Sequence, residues 1–487
     1  MTVLKWLISA VFGAWGVFGI CHAQVDRVED LVFPPLPELS IPRPERVVLE
    51  NGMVVLMMED HELPLVDVTI YIRTGSRYEP PEKIGLATLT GSVMRSGGTR
   101  SMSGDALDDY LEGKAAVIET AIDVTAGTAS MNCLKADFPD VLRIFSDLLR
   151  YPAFDERKLA IAKSQAIAAI ARQNDNPDDI LSREFRKLVY GPDSPYARTP
   201  TYATINNISR ADLVKWHRTY FHPDRMILGL TGDFDPAEAL ALIQQVFGDW
   251  PAGPPSHDLD VPYRTQASPA IFYAEKNDMT QAKIAMGHLG VTRRHPDYYA
   301  LVIVNEILSG SFGSRLFSNI RSKQGLAYDV SGGVGFGWDY PGLAMLSMST
   351  KVQTTAKGIE ALRAEARRLV AEPPTAEEVK KAKASVLNSF VFSVDSPAKI
   401  LAKFLIYEYY DYPSDWLQRF RPGIEGVTVA QVRQAAQKHL RPHDFVTLVV
   451  GPEEGVAPAL ARYPQVHKLD ITVPPPPADM LKALRSF

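Results

Sequence analysis

The sequence predicts an α+β protein built as two homologous, sandwich-like halves, each a sheet with long helices laid against it. Three observations carry that expectation. Ile208-Ser-Arg-Ala-Asp-Leu-Val-Lys-Trp-His-Arg-Thr-Tyr-Phe-His-Pro223 lies without a gap over Val427-Thr-Val-Ala-Gln-Val-Arg-Gln-Ala-Ala-Gln-Lys-His-Leu-Arg-Pro442, at an offset of 219 (442 − 223), and Gly232 matches Gly451 at the same offset. The break Asp175-Asn-Pro177 returns as Asp395-Ser-Pro397 at an offset of 220 (397 − 177). Each copy mixes strand-period runs with long amphipathic stretches of helical period.

Taken in order, residues 1–23 read as a secretory signal: Lys5 precedes an apolar run from Trp6 to Ile20, and Cys21-His22-Ala23 approximates small-x-small cleavage chemistry before Gln24. Cleavage after Ala23 implies a periplasmic protein; retention would make the run an anchor. Residues 24–46 form an acidic, proline-rich leader. The first half, 47–250, opens on a hairpin in which Val47-Val48-Leu49 and Met53 to Met57 flank the turn Glu50-Asn51-Gly52. Val66 to Thr74 continues the sheet, and Lys83 to Met94 and Leu107 to Leu111 have helical period. Ile118 to Met131 alternates as one strand, Phe138 to Leu149 and Glu156 to Gln173 are long helices, Leu228 to Phe234 is a closing strand and Pro236 to Phe247 a last helix. The linker 251–268 begins Pro251-Ala-Gly-Pro-Pro255; the second half spans 269–470, and 471–487 is a tail.

With 487 residues, 46% hydrophobic and 22% charged, the chain is long enough for two domains. A net charge of −5 and a pI near 6.1 leave no basic stripe for nucleic acid. Beyond the signal, no membrane partner is expected. The two cysteines are Cys21, in the segment expected to leave, and Cys133, so no intrachain disulfide is expected.

Chemistry concentrates in Gly310-Ser-Phe-Gly-Ser-Arg-Leu-Phe-Ser-Asn-Ile-Arg-Ser-Lys-Gln-Gly-Leu-Ala-Tyr328 and the following Ser331-Gly-Gly-Val-Gly-Phe-Gly337. The pattern is a loop with a tight entry at Gly310 and Gly313, a short helix whose apolar face is Leu316, Phe317 and Ile320, a stop at Gly325, and a strand from Tyr328. Arg321 and Tyr328 are long enough to reach out of it, and a guanidinium beside a phenol suits a carbonyl or developing oxyanion. The strand is so rich in glycine that another backbone is expected to approach it closely, which makes Ser331, Gly332, Gly333 and Gly335 candidate substrate-binding positions.

The run Ser-Arg-Leu-Phe-x-x-Ile-Arg-x-x-x-Gly-Leu-Ala-Tyr resembles the C-terminal-domain signature of the M16 (insulinase/pitrilysin-like, processing-peptidase-like) metallopeptidases, and the resemblance covers Val47 to about Gly451. It implies two halves that close like a clamshell, and it implies that Arg321 and Tyr328, seven apart (328 − 321), complete the active site of a zinc-bearing domain. It also implies His-x-x-Glu-His after Gly-Leu-Ala, two imidazoles on one helix face for zinc and a glutamate to activate water. Here Gly85-Leu-Ala87 is followed by Thr88-Leu-Thr-Gly-Ser92, with Thr88, Gly91 and Ser92 in place of the three motif residues. A third ligand should fall near Ala168 or Ala169, and both are alanine.

No other metal set emerges from the sequence: His61, His257, His288, His295 and His467 stand alone, His217 and His222 do not share a helix face, and Pro442 separates His439 from His443. No cofactor is therefore expected in this chain. The resemblance implies a zinc-less subunit paired with an HxxEH-bearing partner that holds the zinc, the two acting on a peptide. The alternative is a peptide-binding or scaffold protein of the periplasm without catalysis.

Overall fold

The computed structural model describes residues 40–254 and 269–476. The predicted signal, its cleavage point, most of the leader, most of the linker and the last eleven residues of the tail lie outside the described residues.

The first half is a six-stranded mixed sheet ordered β1-β2-β6-β3-β5-β4. Its strands are β1 (Glu45–Val48), β2 (Val54–Glu59), β3 (Leu65–Ile72), β4 (Val117–Ile122), β5 (Gly127–Leu134) and β6 (Met226–Gly232). The second half repeats it with β7 (Ile271–Glu275), β8 (Gln281–Leu289), β10 (Ala327–Val334), β12 (Leu343–Lys351), β13 (Val446–Gly451) and β14 (Val466–Leu469) in the order β10-β12-β8-β13-β7-β14. The short strands β9 (Val291–Thr292) and β11 (Phe336–Gly337) pair separately. In both sheets the closing strand lies parallel to the opening strand and antiparallel to the next (β6 on β2 and β3, β13 on β7 and β8). β1 at one sheet's edge answers β14 at the other's, so the two copies differ in which terminus supplies the outermost strand.

Helices of the first half are α1 (Leu86–Ser96), α2 (Gly104–Gly113), α3 (Phe138–Arg150), α4 (Glu156–Ala171), α5 (Pro177–Tyr190), α6 (Tyr202–Asn206), α7 (Arg210–Tyr220) and α8 (Pro236–Phe247). Those of the second are α9 (Tyr298–Asn305), α10 (Thr355–Ala371), α11 (Ala376–Val391), α12 (Pro397–Tyr409), α13 (Phe420–Glu425), α14 (Val429–His439) and α15 (Glu453–Leu460). The repeat extends to the caps: α7 and α14 both start on capping boxes, Ser209 with Asp212 and Thr428 with Gln431. Asn176 and Ser396, inside the two Asp-x-Pro breaks, cap α5 and α12.

The halves are interlocked rather than merely facing. α5 of the first half packs on β8 and β13 of the second, and α12 of the second packs on β2 and β6 of the first. Phe185 and Val189 of α5 join Ala285, Leu448 and Val450 in a core of their own. In the reciprocal contact a Cβ on Gly229 would stand 2.6 Å from Cδ1 of Leu405, so the Leu405 side chain fills the space that a side chain at Gly229 would need. Ion pairs fasten the same boundary, among them Arg73 to Asp411 at 2.9 Å and Arg46 to Glu408 at 2.8 Å. Hydrophobic period exposes that α5 and α12 are amphipathic but not whose sheet they cover.

One strand expectation is corrected. Ile118 to Met131 is two strands, because the Asp123 carboxylate accepts from the backbone N–H groups of Thr125 (2.6 Å) and Ala126 (2.7 Å) and folds the chain into a hairpin. Alternation continued across that turn and concealed it. The Asn51-Gly52 turn forms as expected, with Gly52 at φ 88°.

Candidate functional site

The motif segment leaves α9 through a wide π-type turn at Glu306–Gly310, and a second π-type stretch, Phe317–Lys323, stands where the sequence predicts a short helix. Leu316 and Ile320 are fully buried. Phe317 is only half-buried and belongs to the surface side of the segment, a departure from the predicted apolar face. Gly325, at φ 60°, ends the turn, with its N–H donating to the Arg321 carbonyl.

Arg321 is then held by rings. Its guanidinium carbon lies 4.5 Å from the Phe317 centroid and 4.5 Å from that of Tyr328, and Phe312 packs edge-on against Phe317 at 4.8 Å. Among the described residues the Arg321 side chain has no hydrogen bond or ion pair, nor does the Tyr328 hydroxyl, and Tyr328 is 78% exposed. Cation–π stacking fixes the orientation of both groups while leaving their polar atoms unspent.

Tyr328 sits on β10, whose only strand neighbour among the described residues is β12. The close backbone expected beside the glycines is this neighbour: a Cβ on Gly332 (φ 152°) would stand 2.4 Å from the Met345 carbonyl oxygen, and one on Gly335 2.4 Å from that of Leu343. The outer edge is partly filled by side chains. Ser309 exchanges hydrogen bonds with the N–H and C=O of Gly332, and Asn305 does so with Val334 at 2.8 and 2.9 Å. Ser331 is exposed, with its hydroxyl 3.2 Å from that of Ser347.

In the first half the positions of interest lie on α1, which follows β3 as α9 follows β8 and the short β9. Thr88 and Ser92, one turn apart, both face outward, and Thr88 and Ala169 line one cavity of about 590 Å³ between α1, α4 and α5. The fold thus brings Thr88 and Ala169, two of the positions the resemblance singles out, onto one cavity. Two hydroxyls and an alanine methyl are not a zinc donor set. Gly91 is more restrictive still, because a Cβ there would stand 2.8 Å from the backbone nitrogen of Ile122 on β4. Glu79, also on the cavity, is 5% exposed and accepts from the N–H groups of Gly85 (3.1 Å) and Ala87 (2.7 Å) at the start of α1. Burial outweighs these donors and pushes its carboxyl up to about 7.

Two residues escaped the sequence reading. Arg315, 8% exposed, makes a bidentate pair with Glu378 at 2.9 and 3.1 Å and ties the motif segment to the N-terminus of α11. His295 does not stand alone: it lies with Asp297 and His439 in a group that could hold a metal ion. His439 Nε2 is 2.8 Å from Asp297 Oδ2, and the Lys438 ammonium donates to the same oxygen at 3.0 Å, so an ammonium already occupies the carboxylate. Cys133 is fully buried in β5, its thiol pushed up to about 12 by burial.

Two family models match the chain: Insulinase (Peptidase family M16) over residues 54–192 and Peptidase M16 inactive domain over residues 207–386. A protein of Bacillus subtilis named uncharacterized zinc protease YmxG is 24% identical over 361 residues, 72% of this chain and 85% of its own length. A Helicobacter pylori protein named non-peptidase homolog YmxG is 22% identical over 399 residues, 81% and 91%. Among solved structures, a peptidase M16 inactive domain from Pseudomonas fluorescens aligns with a TM-score of 0.77 and 27% identity over 85% of this chain and 98% of that one. The repeated sheets, the motif around Arg321 and Tyr328 and these matches agree, and the chain belongs to the M16 peptidase family.

Proposed function

We propose that this chain is a zinc-less M16 subunit that pairs with an HxxEH-bearing M16 partner to degrade or process peptides, and that it presents Arg321 and Tyr328 to the carbonyl under attack. The observation that carries the reading is the Arg321 guanidinium gripped between two rings with its donors free among the described residues. A group stacked in that way costs little ordering when a carbonyl oxygen arrives, and it matters most where charge develops in the transition state. Zinc and the water-activating base come from the partner, since Thr88, Gly91, Ser92 and Ala169 supply neither. The residue 1–23 pattern supports a periplasmic site of action.

One observation favours the second reading, a peptide-binding or scaffold protein without catalysis. Ser309 and Asn305 already satisfy part of the outer edge of β10, which leaves less backbone at Gly332 to Gly335 for an added strand. Mixing the purified chain with an HxxEH-bearing M16 protein of the same cell separates the two. Peptidase activity of the mixture well above that of either chain supports the subunit reading, and a stable pair with no gain in activity supports the scaffold.

A further inference from the structure

The cavity beside α1 has a counterpart in the second half. Ala166, Ala169, Ile170, Gln173 and Arg183 line the first, and Val386, Ser389, Phe390, Ser393 and Lys403, each 220 positions later (403 − 183), line the second, a cavity of about 420 Å³ between α9, α11 and α12. The duplication thus built the same hollow twice, and charge is where the two differ. The first cavity sets Glu79 and Asp179 among Arg183, Arg186 and Arg198, and its Arg183 is tied to Glu184 at 2.7 Å. The second contains Arg293 and Lys403 and no carboxylate.

Lys403 is half-buried and, among the described residues, has neither a hydrogen bond nor an ion pair. Burial, and then the charge of Arg293, hold its ammonium below the ordinary lysine value, the sign of a cation without a counter-ion. Arg293 is stacked 4.3 Å from the Trp338 ring and donates through Nη1 to the Tyr298 hydroxyl at 3.1 Å, while its Nε is buried without an acceptor. A buried guanidinium nitrogen without an acceptor, such as Arg293 Nε, is rare and calls for a partner. The remaining wall is aromatic, with Phe390 and Phe420 stacked at 4.6 Å and Tyr298 edge-on to Phe336 at 4.9 Å. Exposed Ser389 lies at the mouth. The volume lies in the range of small-molecule sites.

We propose that this cavity binds a carboxylate carried close to an aromatic ring, its anion on Lys403 and Arg293 and its ring among Tyr298, Phe390 and Phe420. Such a group comes either from a free aromatic acid or from the C-terminal residue of a peptide. The site is independent of Arg321 and Tyr328 and needs no partner chain.

Isothermal titration of the purified chain with N-acetyl-phenylalanine, its amide, N-acetyl-alanine and Ala-Ala-Phe tests it. The acid is expected to bind about tenfold or more tightly than the amide, as loss of hydrogen bonds to charged groups implies, and more tightly than the alanine analogue. Lys403→Met, which keeps the aliphatic stem and removes an unpaired cation, is expected to unfold at the same or a higher temperature and to lose acid binding by a similar factor, with Lys403→Arg restoring it. Tighter binding of Ala-Ala-Phe identifies a peptide C-terminus, and weaker binding identifies a free acid. Acid and amide binding alike, alanine binding as well as phenylalanine, or an unchanged Lys403→Met would overturn the proposal.

Discussion

A Cβ on Gly91 would stand 2.8 Å from the backbone nitrogen of Ile122, which places α1 against β4 at a distance that only glycine permits. Thr120 seals the contact by donating from its hydroxyl to the Gly91 carbonyl at 2.6 Å. α1, the helix on which the family resemblance would set the zinc motif, is therefore packed around the absence of a side chain at Gly91.

Substituting that motif back is expected to fail for this reason. Gly91→Glu should lower stability by about 1–3 kcal/mol, as overpacking does, measured by urea unfolding. The triple variant Thr88→His, Gly91→Glu, Ser92→His should still hold no stoichiometric zinc, because Ala169 supplies no third ligand and no surrounding groups orient the new imidazoles. Metal analysis finding one tightly held zinc per triple-variant chain would show that α1 can withdraw from β4.

Arg321→Ala and Tyr328→Phe should leave fold and pairing intact, since neither polar group has a hydrogen-bonding partner among the described residues. In the reconstituted pair each should lower turnover by roughly 10²–10³ if it stabilises a developing oxyanion. Tyr328→Phe keeps the ring under Arg321 and removes only the hydroxyl, so it separates stacking from chemistry. Turnover unchanged by both substitutions would leave the pair with no catalytic role.

Leu405, 2% exposed, fills the space over Gly229 and belongs to the half opposite its sheet. Leu405→Ala should cost about 2–5 kcal/mol, read by denaturant titration. A loss under 1 kcal/mol would mean that α12 is not a structural part of the first half.

Glu79 gives a signed pH effect. Its carboxyl is raised to about 7, so the unfolded chain releases this proton at lower pH than the folded chain does. Stability relative to Glu79→Gln should therefore be highest in mild acid and fall as pH rises through about 7, by up to about 3 kcal/mol once the buried group must ionise. Parallel denaturation curves of the two proteins at pH 5 and 8 measure the difference. An unchanged gap would show that Glu79 ionises as freely inside as outside.

The duplication, the two Asp-x-Pro breaks, most helices and the Arg321–Tyr328 pair were legible in the sequence, because each depends on local period, caps or spacing along one stretch of chain. The sequence also determined that Thr88, Gly91, Ser92, Ala168 and Ala169 offer no imidazole or carboxylate, since ligand chemistry is a matter of residue type. Only the tertiary structure decided that α5 and α12 change places, because an amphipathic face specifies that it will be buried and not against what. It alone put Arg321 between Phe317 and Tyr328, turned Asn305 and Ser309 onto the edge of β10, and joined His295 to Asp297 and His439. The pairing of Arg293 with Lys403 was beyond sequence reasoning for the same reason. Two cations 110 residues apart (403 − 293) line one cavity only when the turn before α9 and the helix α12 close on it, and nothing in their local sequence records that meeting.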